Sequence, residues 1–294
     1  MNMRILRGIG KEMLCKCWWL FPDELQIRWY YRLAMGRKLD LDNPKTMNEK
    51  IQWLKLHLRK PEMTTLVDKI KVKEVISRKI GSEYVVPLLG QWERFDDIDF
   101  DKLPQQFVLK TSHSGGNKAV VIVPDKAKID KKKIRATLER SLRKDDIYRT
   151  YREWPYKDVQ KRIFAEAFLG NDLVDYKFYC FCGEPEYVLA CIDRQKGSTK
   201  YYYFDKSWKL CRINKWGIEA PSGFTLPKPD NLEKMFQLAS LLSKGFPFIR
   251  IDFFCVEGEI YFSECTFFPN SGYDVERTPE ADLMFGNKIV LPGK

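Results

Sequence analysis

The stretch Phe248-Ile-Arg-Ile-Asp-Phe-Phe-Cys-Val-Glu-Gly-Glu-Ile-Tyr-Phe-Ser-Glu264 decides how this chain is read. It predicts a β-hairpin whose apolar alternation is interrupted by Arg250, Asp252 and Glu264. Two carboxylates near the ends of paired strands, with an arginine beside them, are what a Mg²⁺–phosphate site needs. Mg²⁺ prefers hard oxygen ligands and is usually held by one or two carboxylates plus substrate phosphates. The competing reading is a partly buried ion-pair network. A lysine and a glycine-bearing loop earlier in the chain favour the first reading.

The 294 residues leave room for one large domain or two to three smaller lobes, and 44% hydrophobic and 14% aromatic content indicate a globular protein. No window reaches the length of a membrane span. The run Cys17-Trp-Trp-Leu-Phe21 is too short for a signal segment, and no small-residue cleavage site follows it, so the expected location is the cytoplasm. Two C-x-C pairs, Cys15/Cys17 and Cys180/Cys182, and only two histidines argue against zinc and for reduced thiols. The net charge of +11 suits a polyanionic substrate, a nucleotide, nucleic acid or anionic lipid. Much of the excess lies in Lys126–Lys144, expected as a solvated helix face behind an N-cap at Asp130.

Residues 1–40 read as a basic, aromatic helical appendage, which either packs on the rest or rests on the anionic inner face of a plasma membrane. Thr46-Met-Asn-Glu49 is a capping box opening a helix that Pro61 ends. A second helix is expected from about Thr65 to Lys79, closed by Gly81, and then a short strand at Val85–Leu89. Phe107–Lys110 and Ala119–Val123 are strands around the loop Thr111-Ser-His-Ser-Gly-Gly-Asn117. In that loop Gly115 and Gly116 free backbone N–H groups for an anion nest, although a ligand-free hairpin turn would look alike. Ile163–Leu169 is a strand with one charge, Glu166. Hairpins follow at Val174–Cys182 with Glu186–Ile192, and at Tyr201–Phe204 with Trp208–Cys211. Asp230–Lys244 is a helix, and the carboxylate hairpin closes the fold. The alternation indicates an α+β chain with mostly antiparallel sheets and neither a Rossmann fingerprint nor a Walker A motif.

Taken in order, these pieces resemble the TupA-like branch of the ATP-grasp superfamily, named for teichuronopeptide biosynthesis, over roughly residues 40 to 292. The resemblance rests on Asn48-Glu-Lys-Ile-Gln-Trp-Leu54, Asp68-Lys69, Leu103-Pro with Phe107-Val-Leu-Lys110, and Ala165-Glu166. It continues through Asp175-Tyr-Lys-Phe178 with Phe181-Cys-Gly183, Asp193-Arg194, Arg250-Ile-Asp252 and Glu264-Cys-Thr-Phe-Phe-Pro-Asn-Ser-Gly272. It implies an ATP-grasp fold, with the nucleotide clamped between two α+β lobes. Its parts would be an N-terminal lobe at 41–105, a central lobe with the phosphate flap at 106–169, and a C-terminal lobe with the magnesium carboxylates at 170–294. In such enzymes Lys69 and Lys110 match lysines on the ATP phosphates, and His113, Ser114, Gly115 and Gly116 match the flap over them. Glu166 falls on the strand where backbone groups read adenine, Asp175 at a ribose position, and Lys177 and Arg194 at further phosphate or substrate contacts. Asp252 and Glu264 match the magnesium ligands, and Arg250 matches an arginine that stabilises oxyanion charge. Thr266 stands where many members carry Asn, so its hydroxyl or Asn270 would complete the metal set. Ser263 replaces a usual glycine, and Ser112-His-Ser-Gly-Gly116 departs from the usual Asn-His-Gly-Ser-Gly flap.

The implied reaction is carboxylate–amine ligation through an acyl phosphate, with ATP and Mg²⁺. By the family association, an amino acid is joined to uronic-acid carboxyls of an acidic capsular or teichuronic-type glycan. Its rivals are a glycosyltransferase of the same pathways using Asp99-Phe-Asp101, a nucleic-acid binder using Lys126–Lys144, and a non-catalytic nucleotide binder.

Overall fold

The structure is a computed structural model that describes residues 21–115, 119–144, 146–171, 173–193 and 197–293. Helices α1 (Asp23–Met35), α2 (Met47–His57), α3 (Glu62–Val67) and α4 (Lys71–Ile80) come first. The strands β1 (Leu88–Trp92), β2 (Phe107–Thr111) and β3 (Val121–Val123) follow, then α5 (Lys131–Leu142), α6 (Asp146–Tyr151) and β4 (Ile163–Ala167). After them come β5 (Asp175–Phe181), β6 (Glu184–Ile192), β7 (Lys200–Asp205), β8 (Leu210–Cys211) and α7 (Lys215–Glu219). The chain ends through α8 (Leu232–Ser243), β9 (Phe248–Val256), β10 (Glu259–Thr266) and α9 (Pro279–Lys288). The antiparallel strands form two sheets, ordered β1-β4-β2-β3 and β10-β9-β5-β6-β7-β8. This is the α+β arrangement expected from the sequence.

Local chemistry sets several boundaries. Thr46 and Glu49 close the capping box reciprocally, and Asp130 accepts from two backbone N–H groups to start α5. The single helix expected from Thr65 to Lys79 is two. Asp68 Oδ1 accepts from the backbone N–H of Ile70 (2.9 Å) and Lys71 (3.2 Å), competing with the helical ladder. The break leaves Lys69 between α3 and α4, where its N–H donates to the Ser112 carbonyl at 3.1 Å. The strand expected at Val85–Leu89 begins later, at Leu88, because Val85 instead makes an isolated bridge with Phe262. The fold does not close on the carboxylate hairpin either. Thr278 caps α9, and Pro279 occupies its first turn, where the missing N–H is harmless.

The six-stranded sheet has two unlike faces. Phe178, Val188, Ala190, Phe204, Ile251 and Phe253 are buried on one face, beneath α8, whose Leu232, Met235, Leu238, Ala239 and Leu242 recur at helical spacing. Buried residues of α1, α2, α3 and α4 share that core, while β1–β4 and α5 form a second one around Phe107, Leu109, Ile134 and Leu138. No described helix is long and apolar enough to cross a membrane.

Helix α9 crosses the start of α2 at Gly286. A Cβ added there would run into the Lys45 carbonyl oxygen and the backbone of Thr46 and Met47. Gly286→Ala is therefore expected to destabilise the fold by about 1–3 kcal/mol in urea titration. The exposed neighbour variant Asn287→Ala should stay within about 0.5 kcal/mol of wild type.

Candidate active site

Between the two sheets lies a cleft of about 770 Å³. Its floor is the second face of the six-stranded sheet, and strand register orders its side chains. One row runs Glu264–Asp252–Lys177–Leu189–Tyr203 across β10, β9, β5, β6 and β7. The next runs Thr266–Arg250–Tyr179–Tyr187. A bulge at Ser263 makes the first row possible. Phe262 pairs with Phe253, whereas Glu264, two residues on, pairs with the adjacent Asp252. The extra residue turns β10 from the apolar face to the cleft face.

These charges are tied to one another. Arg250 Nε and Nη2 donate to the two Asp252 oxygens at 2.7 and 2.6 Å, and Nη2 also reaches Glu264 (3.0 Å) and the Thr266 hydroxyl (3.0 Å). Lys177 Nζ bridges Asp175 (2.5 Å) and Asp252 (2.6 Å), and Lys69 Nζ donates to Glu264 at 2.7 Å. Burial pushes the Asp252 carboxyl up, offset only in part by Arg250 and Lys177. Burial also works against the Glu264 carboxylate, yet Lys69, Lys177 and Arg250 hold it well below the usual range. For Lys177 burial opposes the charge, but Asp175 and Asp252 raise it to about 12.

A second ionic cluster sits in the four-stranded sheet. Glu166 receives Lys110 Nζ at 2.5 Å and Lys73 Nζ at 2.6 Å. Burial raises its pKa, but Lys110 and Lys73 outweigh this and hold the carboxyl at about 2. Burial still pulls the Lys73 ammonium down, so the trio contributes less than the Glu166 shift alone indicates. The Glu166 side chain is thus occupied by lysines, while the segment that follows, Ala167–Gly170, lines the cleft.

Of the residues expected from the sequence, the cleft brings together Lys69, Lys110, Ser114, Gly115, Glu166, Asp175, Lys177, Arg250, Glu264, Thr266 and Asn270, with Asp252 beneath them. His113 is not among its lining residues. It is buried, with Nε2 3.1 Å from the Ser141 carbonyl and 3.2 Å from that of Lys144, at the end of α5. Gly116 and Arg194 lie outside the described residues, as do residues 1–20 of the expected appendage. Asp99 caps a 3₁₀ turn and pairs with Lys102 at 3.2 Å, apart from the cleft lining. Sequence reasoning passed over Lys73, Lys55 and Glu153. Glu153 lines the cleft, and Lys55 is buried behind the turn Pro269–Gly272.

Among the described residues no group of three or more His, Cys, Asp or Glu side chains stands ready to hold an ion. Two adjacent hard-oxygen carboxylates suffice for Mg²⁺ when phosphates and waters supply the remaining ligands. The donor set fits on one condition, that Arg250, Lys69 and Lys177 leave the carboxylate oxygens for a polyanion.

The family model for TupA-like ATPgrasp matches residues 49–290. No curated protein sequence matches the chain. Among solved structures, it is similar to a D-alanine–D-alanine ligase from Helicobacter pylori, with 14% identity and a TM-score of 0.45 over 85% of this chain and 70% of that one. An L-amino acid ligase from Bacillus licheniformis gives 13% identity and a TM-score of 0.49 over 82% and 55%. The N5-carboxyaminoimidazole synthetase from Staphylococcus aureus, complexed with ADP, gives 16% and 0.44 over 84% and 60%. The chain thus spans between 55% and 70% of the length of these three.

Glu166→Gln leaves two partly buried ammoniums without their carboxylate and is expected to cost about 3–5 kcal/mol near neutral pH. Because the folded-state pKa is depressed, Glu166 stabilises above the ordinary carboxylate value of 4.5 and loses that effect as pH falls towards about 2. Urea midpoints of wild type and variant should therefore converge on acidification.

Proposed function

The chain belongs to the TupA-like ATP-grasp family, and on that premise we propose that it is an ATP-dependent carboxylate–amine ligase. The observation that carries the reading is the cleft floor, where Lys69, Lys177 and Arg250 neutralise the paired carboxylates Asp252 and Glu264. A nucleoside triphosphate exchanges those partners. Its phosphates would take the cations, and the freed oxygens of Asp252 and Glu264 would hold Mg²⁺. When bound, the ion supplies charge neutralisation on the transferring phosphoryl group.

The chain's own residues do the rest. Lys110, released from Glu166, meets the phosphates from the four-stranded sheet, in the cleft that it lines together with Lys69 and Arg250. Val86, Val108, Ile122, Phe164 and Leu173 offer an apolar wall suited to a purine, beside the backbone of Ala167–Gly170. A substrate carboxylate oxygen attacks the γ-phosphorus, and ADP leaves. Arg250 and Lys177 hold the developing negative charge. An amine nitrogen then attacks the acyl carbon, the C–O bond to phosphate breaks, and an amide remains. Positioning and charge stabilisation account for this chemistry without a protein nucleophile. The carboxylate substrate proposed is a uronic acid of an acidic cell-surface glycan, and the amine an amino acid.

The test is ADP release with ATP, Mg²⁺, glucuronate and a panel of amino acids. Sustained ADP release should require both co-substrates, because the amine clears the acyl phosphate for the next turnover. Arg250→Ala should lower turnover by about 10²–10³-fold, the usual loss for one charge-stabilising donor. ADP release independent of both co-substrates, or stabilisation by a UDP-sugar but not by a Mg²⁺–ATP analogue, would overturn the ligase reading.

A further inference from the structure

Glu153 has no part in the chemistry above, yet two strained segments converge on it. Arg152 is left-handed (φ 56°) and buried, its Nη2 donating to the Phe21 carbonyl at 3.2 Å, and this turn aims the next residue, Glu153, into the cleft. Facing it, Asn270 and Ser271 are also left-handed (φ 48° and 53°). Such non-glycine backbones cost about 1–3 kcal/mol each and persist where their surroundings fix them, often at functional sites. The fixing groups are on α2. Gln52 Nε2 donates to the carbonyls of Ser271 (3.0 Å) and Gly272 (2.8 Å). The Lys55 ammonium donates to Gln52 Oε1 (3.0 Å), the Tyr151 carbonyl (2.8 Å) and the Ser271 carbonyl (2.7 Å), with the Tyr273 ring 4.7 Å away.

The two strained turns meet where the Ser271 hydroxyl donates to Glu153 Oε1. Glu153 is only 7% exposed. Burial lifts its carboxyl to about 7, against the pull of Lys55, Ser271 and Arg250, with Glu264 adding to the rise. Burial pulls the facing Lys55 ammonium down to about 7 as well, and the buried Tyr156 and Tyr273 lie in the same field. A carboxyl in that range exchanges a proton near neutral pH, as proton-transfer catalysis requires.

We propose that Glu153 is the general base of the amide-forming half-reaction, taking a proton from the ammonium of the amine donor so that the nitrogen lone pair can attack the acyl phosphate. The proposal rests on the ligase reading. One ammonium proton passes to the Glu153 carboxylate. The C–N bond forms, and the C–O bond to phosphorus breaks with its electron pair leaving on phosphate. The second nitrogen proton departs with that phosphate as HPO₄²⁻, and Glu153 returns its proton to solvent.

The experiment compares wild type, Glu153→Gln and Glu153→Asp, with ATP, Mg²⁺ and glucuronate. The amines are of rising basicity, from hydroxylamine, which is neutral near physiological pH, through glycinamide to glycine. A Mg²⁺–ATP-analogue thermal shift of wild-type size in each variant establishes that fold and nucleotide site are retained. Glu153→Gln should lose about 100-fold or more with glycine, progressively less with glycinamide, and little with hydroxylamine. Glu153→Asp should recover part of the loss. Equal losses for all three amines, no loss with glycine, or a wild type that accepts hydroxylamine alone would overturn the base assignment. A wild type silent with every amine would overturn the ligase reading beneath it.

Discussion

The structure depends on a neutral array of buried and half-buried charges set across β10, β9 and β5, at one edge of the six-stranded sheet, with Lys69 reaching in from the α3–α4 link. Arg250, Lys177 and Lys69 stand against Asp252, Asp175 and Glu264, three cations against three anions, on the cleft face. Such an array is costly to assemble and more costly to leave half-made, since removing one partner strands a buried charge. Without a ligand the members neutralise one another. A magnesium–polyphosphate ligand also has both signs, so it can replace each internal pair by a pair across the interface. The network that neutralises itself on the cleft face is therefore the one proposed to receive the nucleotide.

The N-terminal helices hold the rim of this array. Asn48 donates to Asp282 and to the Asp274 carbonyl, and Arg277 pairs with both Asp274 and Asp282. Gln52 and Lys55 grip the strained turn that follows β10. Gly272 permits the grip, because a Cβ there would lie 2.7 Å from Ile51 Cγ2 and 2.6 Å from Gln52 Nε2. The stretch Asn48–Leu54 thus acts at a distance of more than two hundred residues in sequence, through backbone carbonyls beside the cleft.

What was legible in the sequence was local or periodic. The Thr46 capping box, the Asp130 cap and the hairpins around Gly183 and Gly258 announce themselves within a few residues. Arg250 and Asp252 stand out because they break an apolar alternation. Three things were hidden for physical reasons. The split at Asp68 depends on a side chain outcompeting a helical ladder whose apolar period runs on through Val72 and Ile76. The bulge at Ser263 decides which face Glu264 occupies, and no alternation pattern records an inserted residue. Glu153 and Lys55 gain their meaning only from Ser271, more than a hundred residues away. A signal did exist for Lys55, a charge among Ile51, Leu54 and Leu58 on a buried helix face. Another existed for α9 in Thr278-Pro279, a cap followed by proline. His113 read as a phosphate contact because it sits in a glycine-bearing loop, yet its ring is buried against the end of α5.

The central claim is that the buried ion pairs exchange partners with a magnesium nucleotide. A crystal structure with Mg²⁺ and a non-hydrolysable ATP analogue tests it most directly. The account predicts Asp252 and Glu264 oxygens on the ion, with Arg250, Lys69 and Lys110 moved from their carboxylates to phosphate oxygens. A nucleotide bound outside the cleft, or one bound within it while all these ion pairs stay closed, would contradict it.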